Sequence, residues 1–144
     1  MATRSRIGME MKDGSVKSIY CHWDGYPSHN GRILQENYQD RDKVTALIEL
    51  GDISSLAEEV VPTGPHSFND PQGGVVVAYH RDRGEELCGP RKDRSVDEFV
   101  RSDVEEYGYL FTQEGEWVVV NGHESASRRE PVQVDQVLSG TVKL

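Results

Sequence analysis

The sequence predicts a single α+β domain with a mostly antiparallel sheet of about five strands and three to four packed helices. Two turn signals, Asp13-Gly14 and Glu114-Gly115, are each flanked by segments rich in apolar and β-branched residues, which is typical of β-hairpins. Elsewhere, apolar residues recur with the spacing of amphipathic helices. The chain lacks the regular alternation of strand and helix that marks a parallel doubly wound fold.

One hydrophobic core is expected for the whole chain, residues 1–144. A chain of 144 residues has the usual size of one domain and buries roughly two thirds of its unfolded surface. Although hydrophobic residues make up only 35% and charged residues 28%, the apolar positions cluster in periodic segments. This clustering predicts a folded domain rather than a disordered chain.

The first predicted element is a hairpin of residues 7–12 and 15–23. A two-residue turn at Asp13-Gly14 would pair Ile7 with Tyr20. In that register the core face carries Ile7, Met9, Met11, Val16 and Tyr20, with Ser5, His22 and Asp24 continuing it, and the other face carries Arg4, Arg6, Ile19, Cys21 and Trp23.

Two short helices and a loop follow. Residues 30–38 place their large apolar residues on one side of a helix. Asp40 can cap a second helix, in which the apolar residues follow i, i+3, i+4 spacing and Gly51 supplies the C-terminal stop. Residues 61–74 hold three prolines and three glycines, so we expect them to form an irregular loop.

The second half of the chain begins with a predicted strand. Residues 74–80 are almost continuously apolar, which favours a central strand covered on both faces. Ser95 and Glu98 form a capping-box pattern at the start of a helix with an apolar stripe. The remaining predictions are a hairpin of residues 109–113 and 116–120, a mobile loop over residues 121–131, and a last short helix over residues 134–138.

The charge of the chain limits its partners. Lys and Arg total 16 against 25 Asp and Glu, which gives a formal net charge of −9. Nonspecific binding to nucleic acid or to an anionic membrane is therefore not expected, although the charge leaves room for a local basic pocket. No apolar run approaches the ~20 residues that span a bilayer, and the first residues lack the apolar stretch of a signal peptide. We expect a cytoplasmic protein.

The most unusual stretch is residues 20–27, Tyr-Cys-His-Trp-Asp-Gly-Tyr-Pro, at the end of a predicted strand. Since adjacent strand residues point to opposite faces, the only feasible pair of metal ligands here is His22 with Asp24. A third ligand would have to come from His80 or Asp82, but no paired His or Cys spacing supports such a site. A hydrogen-bonded histidine is the simpler interpretation, so we predict no metal and no other cofactor.

The cysteines offer a second chemical interpretation. A thiolate of Cys21 beside a histidine would be an activated nucleophile. Free cysteines in strands are usually small buried hydrophobes, so we do not expect this chemistry. Cys21 and Cys88 form no Cys-x-x-Cys pair, and both are interpreted as reduced thiols.

Anion binding is the third interpretation. Arginines lie at several predicted strand ends of an otherwise acidic chain, where guanidinium groups suit phosphate and neighbouring aromatic rings can stack on a base. Surface ion pairs with nearby carboxylates are the alternative explanation. No Walker or Rossmann glycine pattern is present. The predicted ligand-binding residues, which would meet where the Trp23 loop reaches the end of the strand over residues 74–80, are Arg4, Arg6, His22, Trp23, Asp24, Tyr26, His80, Arg81 and Asp82.

Four segments together carry a resemblance to known proteins. They are Thr3-Arg-Ser-Arg-Ile-Gly8, Tyr20-Cys-His-Trp-Asp-Gly-Tyr-Pro27, Leu47-Ile-Glu-Leu-Gly-Asp-Ile-Ser-Ser-Leu56 and Ala78-Tyr-His-Arg-Asp-Arg-Gly84. In these segments the chain resembles a family of small proteins encoded by bacteriophages and by bacteria, especially actinobacteria, over about residues 3–120. The resemblance implies a phage or bacterial cytoplasm, which is the host cytoplasm for a phage protein. It supplies no catalytic residues.

Three functions remain open at this point. The favoured one is noncatalytic binding of a small anionic, nucleotide-like ligand or of a host protein, with a role in counter-defence, by analogy with other small phage proteins. The second is a small metal-assisted hydrolase centred on His22, Asp24, His80 and Asp82. The third is an inhibitor whose contiguous acidic surface docks on a basic host protein.

Overall fold

The computed structural model describes residues 2–144 and is organised around one mixed β-sheet. Its strands are β1 (Ser5–Glu10), β2 (Val16–Cys21), β3 (Ile53–Ser55), β4 (Val77–Ala78), β5 (Arg91–Asp93), β6 (Tyr107–Phe111), β7 (Trp117–Asn121) and β8 (Val132–Gln133). Their order across the sheet is β4-β3-β2-β1-β6-β7-β8. One edge of β2 is shared, since its first half pairs with β5 and its last residue with β3. The pairings of β1 with β6 and of β2 with β3 are parallel, and the other five are antiparallel.

Helices lie on both faces of this sheet. They are α1 (Arg32–Asn37), α2 (Arg41–Glu49), α3 (Tyr79–Arg83), α4 (Val96–Arg101) and α5 (Val134–Leu138). A π-helical turn over Pro27–Gly31 precedes α1, and a 3-10 turn over Ala126–Arg128 follows β7. None of the helices within residues 2–144 is long and apolar enough to cross a membrane.

The α+β class is confirmed, but the predicted number of elements is wrong. The described chain has eight strands and five α-helices in place of about five strands and three to four helices. Four of the strands contain only two or three residues, too few to show an alternating pattern in the sequence. Residues 74–80 do not form a central strand, because only Val77–Ala78 join the sheet, at its edge, before the chain turns into α3.

The N-terminal hairpin forms, but its loop has three residues rather than two. The carbonyl of Met11 accepts from the amide of Gly14 at 3.0 Å, and the amide of Met11 donates to the carbonyl of Ser15 at 2.7 Å. Gly14 has φ +87°, the left-handed conformation that this type of loop requires at its last residue. Lys12 therefore belongs to the loop, and the register moves by one residue.

This one-residue difference exchanges the two faces of β2. Arg6 pairs with Tyr20 and Ile7 pairs with Ile19, so the prediction that Ile7 and Tyr20 share the core face is wrong. Ile19 and Cys21 are buried in the core instead. Tyr20 lies on the opposite face, together with Arg6.

Two apolar clusters fill the space on either side of the sheet. The larger one lies under α1, α2 and α5 and includes Ile7, Met9, Ile19, Cys21, Leu34, Tyr38, Leu47, Tyr109, Phe111 and Trp117. The smaller one lies under α4 and consists of Val16, Phe99, Val100, Val104, Leu110, Val118 and Val120. Helix α4 lies so near the sheet that a Cβ atom at Gly8 would be 3.3 Å from the ring of Phe99.

The segment over residues 121–131, predicted to be a mobile loop, is attached to the rest of the domain by Arg129. Its guanidinium group donates to the carbonyls of Val100 at 3.1 Å, Ser102 at 2.6 Å and Gly122 at 3.2 Å. These bonds fix the position of the segment against the end of α4.

Candidate functional site

A row of four side chains crosses the sheet on the face that α2 covers. Lys92 of β5 pairs with Lys17 of β2, Lys17 pairs with Met9 of β1, and Met9 pairs with Phe111 of β6. Because paired residues of neighbouring strands point to the same face, these side chains lie side by side. The row depends on the three-residue loop, since a two-residue turn would have set the carboxylate of Glu10 opposite Lys17.

Helix α2 covers only the apolar end of this row. The hydroxyl of Thr45, which donates to the carbonyl of Arg41 at 2.8 Å, lies 3.6 Å from the sulfur of Met9, and the guanidinium group of Arg41 lies 5.2 Å from the ring centroid of Phe111. Beyond these contacts a groove with a volume of about 500 Å³ opens beside the helix. Its lining residues, which define what we call the lysine groove, are Met9, Met11, Lys12, Asp13, Ser15, Lys17, Arg41, Thr45 and Lys92.

The lysine groove is cationic in an acidic protein. Its three lysines and one arginine face a single carboxylate, whereas the whole chain has a formal charge of −9. Within residues 2–144, none of the three lysine ammonium groups takes part in an ion pair. Lys17 and Lys92 are therefore like charges on directly paired residues, an arrangement that destabilises a sheet.

Arg41 forms a fixed wall of the groove. Its guanidinium group donates to the carbonyl of Glu10 at 3.1 Å and to that of Thr112 at 2.9 Å, while it lies over the ring of Phe111. These contacts hold the group in place and use much of its hydrogen-bonding capacity. Arg41 therefore shapes the groove more than it supplies a free charge.

Asp13 supplies the only carboxylate of the groove. Its Oδ1 accepts from the hydroxyl of Ser15 at 2.6 Å and from the amide of Ser15 at 3.0 Å. These hydrogen bonds, with a smaller contribution from the charge of Lys92, hold the pKa of Asp13 below its ordinary value. Asp13 is consequently ionised at neutral pH.

Sequence reasoning missed the lysine groove for two reasons. The Asp13-Gly14 signal predicts the hairpin, but a two-residue turn puts Lys12 in the strand. In that register Lys17 pairs with Glu10 and not with Met9 as in the structure. In addition, β5 consists of Arg91–Asp93, three charged residues that give no signal for a strand. A three-residue loop that includes Lys12 would have predicted the pairing of Met9 with Lys17, which is part of the site.

The predicted ligand residues Arg81 and Asp82 bind other parts of the chain. Arg81 donates to the carbonyls of Val60 at 2.6 Å and Val76 at 2.7 Å, and to the carboxylate of Asp82 at 2.9 Å. Asp82 also accepts from the amide of Ala78 at 2.7 Å. The pair therefore connects segments that are distant in sequence, and its polar groups are used within the domain.

His66 completes this buried network. Its Nε2 lies 3.1 Å from Oδ2 of Asp82, its Nδ1 accepts from the amide of Gln72 at 2.9 Å, and the side chains of His66 and Asp82 are only 2% and 4% exposed. Burial raises the pKa of Asp82, but the contacts from Arg81, Ala78 and His66 outweigh burial, so that the pKa lies below its ordinary value. The network fixes the irregular loop over residues 61–74 to α3.

Arg6 lies on the face of the sheet opposite the lysine groove, where it pairs with Tyr20. The hydroxyl of Tyr20 lies 2.7 Å from Nδ1 of His22, and the charge of Arg4 is within electrostatic reach of Tyr20. Arg6 donates to both the hydroxyl and the carbonyl of Ser18 at 3.1 Å. The polar groups at this end of the face are partly used by one another, beside the apolar cluster under α4.

Trp23, Asp24 and Tyr26 form a rigid loop beyond β2. Trp23 and Tyr26 are 43% and 39% exposed, which makes them the most exposed of the Phe, Tyr and Trp residues within residues 2–144. Asp24 has φ +58°, an unusual conformation for a residue with a side chain. The hydroxyl of Tyr109 donates to the carbonyl of Gly25 at 2.6 Å and holds the loop from below.

The backbone pairing sets the Trp23 loop and His80, two parts of the predicted ligand site, at opposite ends of β3. The amide of Trp23 donates to the carbonyl of Ser54 at 3.0 Å, near the end of β3. The amide of Tyr79 donates to the carbonyl of Asp52 at 3.3 Å, just before β3 begins. Because β4 runs antiparallel to β3 and β3 parallel to β2, His80 lies at the opposite end of β3 from Trp23.

The residues predicted for a metal-assisted hydrolase are divided between two elements: His22 and Asp24 follow β2, whereas His80 and Asp82 lie in α3. Within residues 2–144, no group of three or more His, Cys, Asp or Glu side chains is arranged to hold a metal ion. Burial raises the pKa of Cys21 to about 11, so its thiol stays protonated at neutral pH and is a poor nucleophile.

Two helices each carry an exposed pair of opposite charges. Arg32 pairs with Glu36 in α1, and Arg101 pairs with Asp97 in α4. Each is the kind of exposed pair that contributes little to stability.

No protein-family model, curated protein or solved structure matches this chain. The resemblance to phage and actinobacterial proteins therefore stays a prediction. The chemistry of the lysine groove is therefore the main indication of function.

Proposed function

We propose that this protein is a noncatalytic binding protein that holds a small nucleotide-like anion in the lysine groove. The observation that carries the proposal is the pairing of Lys17 with Lys92, whose ammonium groups take part in no ion pair within residues 2–144. An anion between these groups would exchange a repulsive contact for two attractive ones. The groove is in this sense prepared for a negatively charged ligand.

The apolar part of the groove supports a ligand with a ring. Met9 and Met11 line the same cavity as the lysines, and methionine side chains offer a polarizable surface that adapts to flat groups. The fixed guanidinium group of Arg41 can stack on a ring from the side of the helix. A phosphate at the lysines and a base at the methionines are the two halves of a nucleotide.

The composition of the lining supports binding rather than catalysis. The groove combines Lys, Arg, Met, Thr and Ser side chains with one carboxylate, Asp13, which Ser15 already binds. General acid–base catalysis uses a group that exchanges a proton near neutral pH, a role that these side chains fill poorly. Three further parts of the proposal rest on the resemblance alone. They are the sequestration of a nucleotide signal, a host partner, and a location in a phage-infected or bacterial cytoplasm.

Isothermal titration calorimetry with AMP, GMP, CMP and UMP tests this function. At least one nucleotide should bind the wild-type protein, and K17A and K92A should each weaken that binding by about tenfold, roughly 1.4 kcal/mol. The control K143A removes the same charge outside the groove and should leave the affinity unchanged. Both groove variants should keep the melting temperature of the wild type or raise it, because each removes a like-charge contact.

Two results would contradict the proposal. One is the absence of binding to every nucleotide of the panel. The other is an affinity that falls equally in K143A, which would indicate a general effect of protein charge instead of a site.

A further inference from the structure

We infer that the lysine groove selects nucleoside monophosphates over the corresponding triphosphates, and that Asp13 is the residue that sets this preference. The inference rests on the proposed function and adds the charge of the ligand to it. It follows from how the charges of the groove are distributed among its five ionised side chains.

Three of the positive charges have no ionic partner within residues 2–144, and two of them stand side by side. Arg41 keeps its charge but uses hydrogen-bond donors on the carbonyls of Glu10 and Thr112. Lys12 adjoins Asp13 in the three-residue loop, so at the hairpin end of the groove a positive charge is accompanied by a negative one. Lys17 and Lys92 are instead two like charges on directly paired residues.

Two ammonium groups match the charge of a phosphate monoester. Such a group carries about −1.5 to −2 at neutral pH. Lys17 and Lys92 are directly paired on antiparallel strands, so their Cα atoms are about 5 Å apart and both side chains can reach one phosphate. A single phosphate therefore neutralises the pair without leaving a surplus on either side.

A longer phosphate chain gains no net electrostatic attraction at the hairpin end of the groove. Asp13 lies within electrostatic reach of Lys92, whose charge acts on its carboxylate. Each added phosphate brings negative charge close to this carboxylate, and the attraction of Lys12 is offset by that repulsion. Ser15 anchors Oδ1 of Asp13 through two hydrogen bonds, so the carboxylate cannot simply swing away.

The substitution D13N separates the charge of Asp13 from its role in the loop. The side-chain carbonyl of Asn can still accept from Ser15, so the loop is preserved while the negative charge is lost. A matched control is E114Q, which removes a carboxylate at the same place of the Gln113–Gly115 loop, in the other hairpin. Calorimetry with AMP, ATP and inorganic phosphate on all three proteins gives the selectivity directly.

The wild-type protein and E114Q should bind AMP at least as tightly as ATP. In D13N the affinity for ATP should rise by about fivefold, while the affinity for AMP changes less, because the added phosphates no longer meet a carboxylate. Inorganic phosphate should bind more weakly than AMP in every variant, since it makes no contact with the methionines.

The outcomes separate this inference from the proposed function. If AMP and ATP bind but D13N leaves their ratio unchanged, or if the wild type prefers ATP, the selectivity is overturned and the binding function stands. If inorganic phosphate binds as tightly as AMP, the nucleoside part of the ligand is overturned. If no probe binds the wild type, the inference and the proposed function both fall.

Discussion

Asp82 and Lys17 are two charged residues that differ in whether the domain supplies an ionic partner. Asp82 is buried, and its carboxylate is surrounded by the guanidinium group of Arg81, the imidazole of His66 and the amide of Ala78. Lys17 is a half-buried cation without an ionic partner among residues 2–144. Buried charges are normally paired, so the first residue has a structural explanation within the chain and the second points to a ligand outside it.

Asp82 predicts a specific dependence of stability on pH. Its pKa is lower in the folded protein than the ordinary value of about 3.9, so ionised Asp82 stabilises the fold at neutral pH. This contribution is fully present above the unfolded pKa and is lost as the pH falls through the lower, folded pKa. D82N should cost about 3 kcal/mol at pH 7, because it breaks a buried charged pair.

Urea unfolding of wild type and D82N between pH 7 and pH 2 measures this effect. The difference in the free energy of unfolding should shrink as the pH falls below the ordinary Asp pKa of about 3.9 and through the lower pKa of the folded protein. D70N, at an exposed position of the same loop, should follow the wild type throughout. A difference for D82N that stays constant with pH would mean that the charge of Asp82 contributes nothing.

Both hairpins of the domain use the same three-residue loop. In the second one, the carbonyl of Thr112 accepts from the amide of Gly115 at 2.9 Å, and the amide of Thr112 donates to the carbonyl of Glu116 at 2.9 Å. Gly115 has φ +81°, as Gly14 has φ +87° in the first hairpin. The loop type sets which strand residues pair, and in the first hairpin it sets which side chains line the groove.

Substitution of Gly14 tests the left-handed backbone at the end of the first hairpin loop. A Cβ atom at Gly14 would meet nothing within 4 Å, so the cost of G14A comes only from the left-handed backbone and should be about 1 kcal/mol in urea unfolding. G89A is the matched control, since Gly89 also has open space but has no positive φ. Equal stability of G14A and G89A would argue against a positive φ at Gly14.

The elements with strong local signals were predictable from the sequence. Asp40 caps α2 by accepting from the amide of Asp42 at 3.0 Å, and Ser95 caps α4 by accepting from the amide of Glu98 at 3.0 Å, as the capping patterns predict. Both hairpins were also predicted. The short strands were not predicted, because they depend on residues that are distant in the sequence. They form only where a neighbouring strand provides partners for their backbone groups.

The candidate site was harder to predict than the fold for the same reason. Arg81 resembles a phosphate ligand in the sequence, but its partners Val60 and Val76 become neighbours only after the loop over residues 61–74 has folded. The lysine groove depends on a one-residue choice of register and on β5, which no local pattern marks. Residue type does not show which charged side chains have partners within the chain, and that required the structure.

At the scale of the whole molecule, the helices leave different surfaces uncovered at the two ends of the sheet. The hairpin end beside α2 exposes the lysine groove, and the opposite end exposes the Trp23 loop with its two accessible aromatic residues. The cationic groove lies in a chain of net charge −9, which favours an anion at the groove over most of the remaining surface. We propose that the ligand binds at the lysine end of the sheet.

A titration with AMP followed by amide and indole NMR signals tests this claim most directly. The chain has two tryptophans: the indole of Trp117 is buried and donates to the carbonyl of Tyr38, while Trp23 is exposed on its loop. We expect saturable shifts of the amides around Met9, Lys17 and Lys92, with the indole signal of Trp23 unchanged. Shifts centred on Trp23, with the groove amides unmoved, would contradict it.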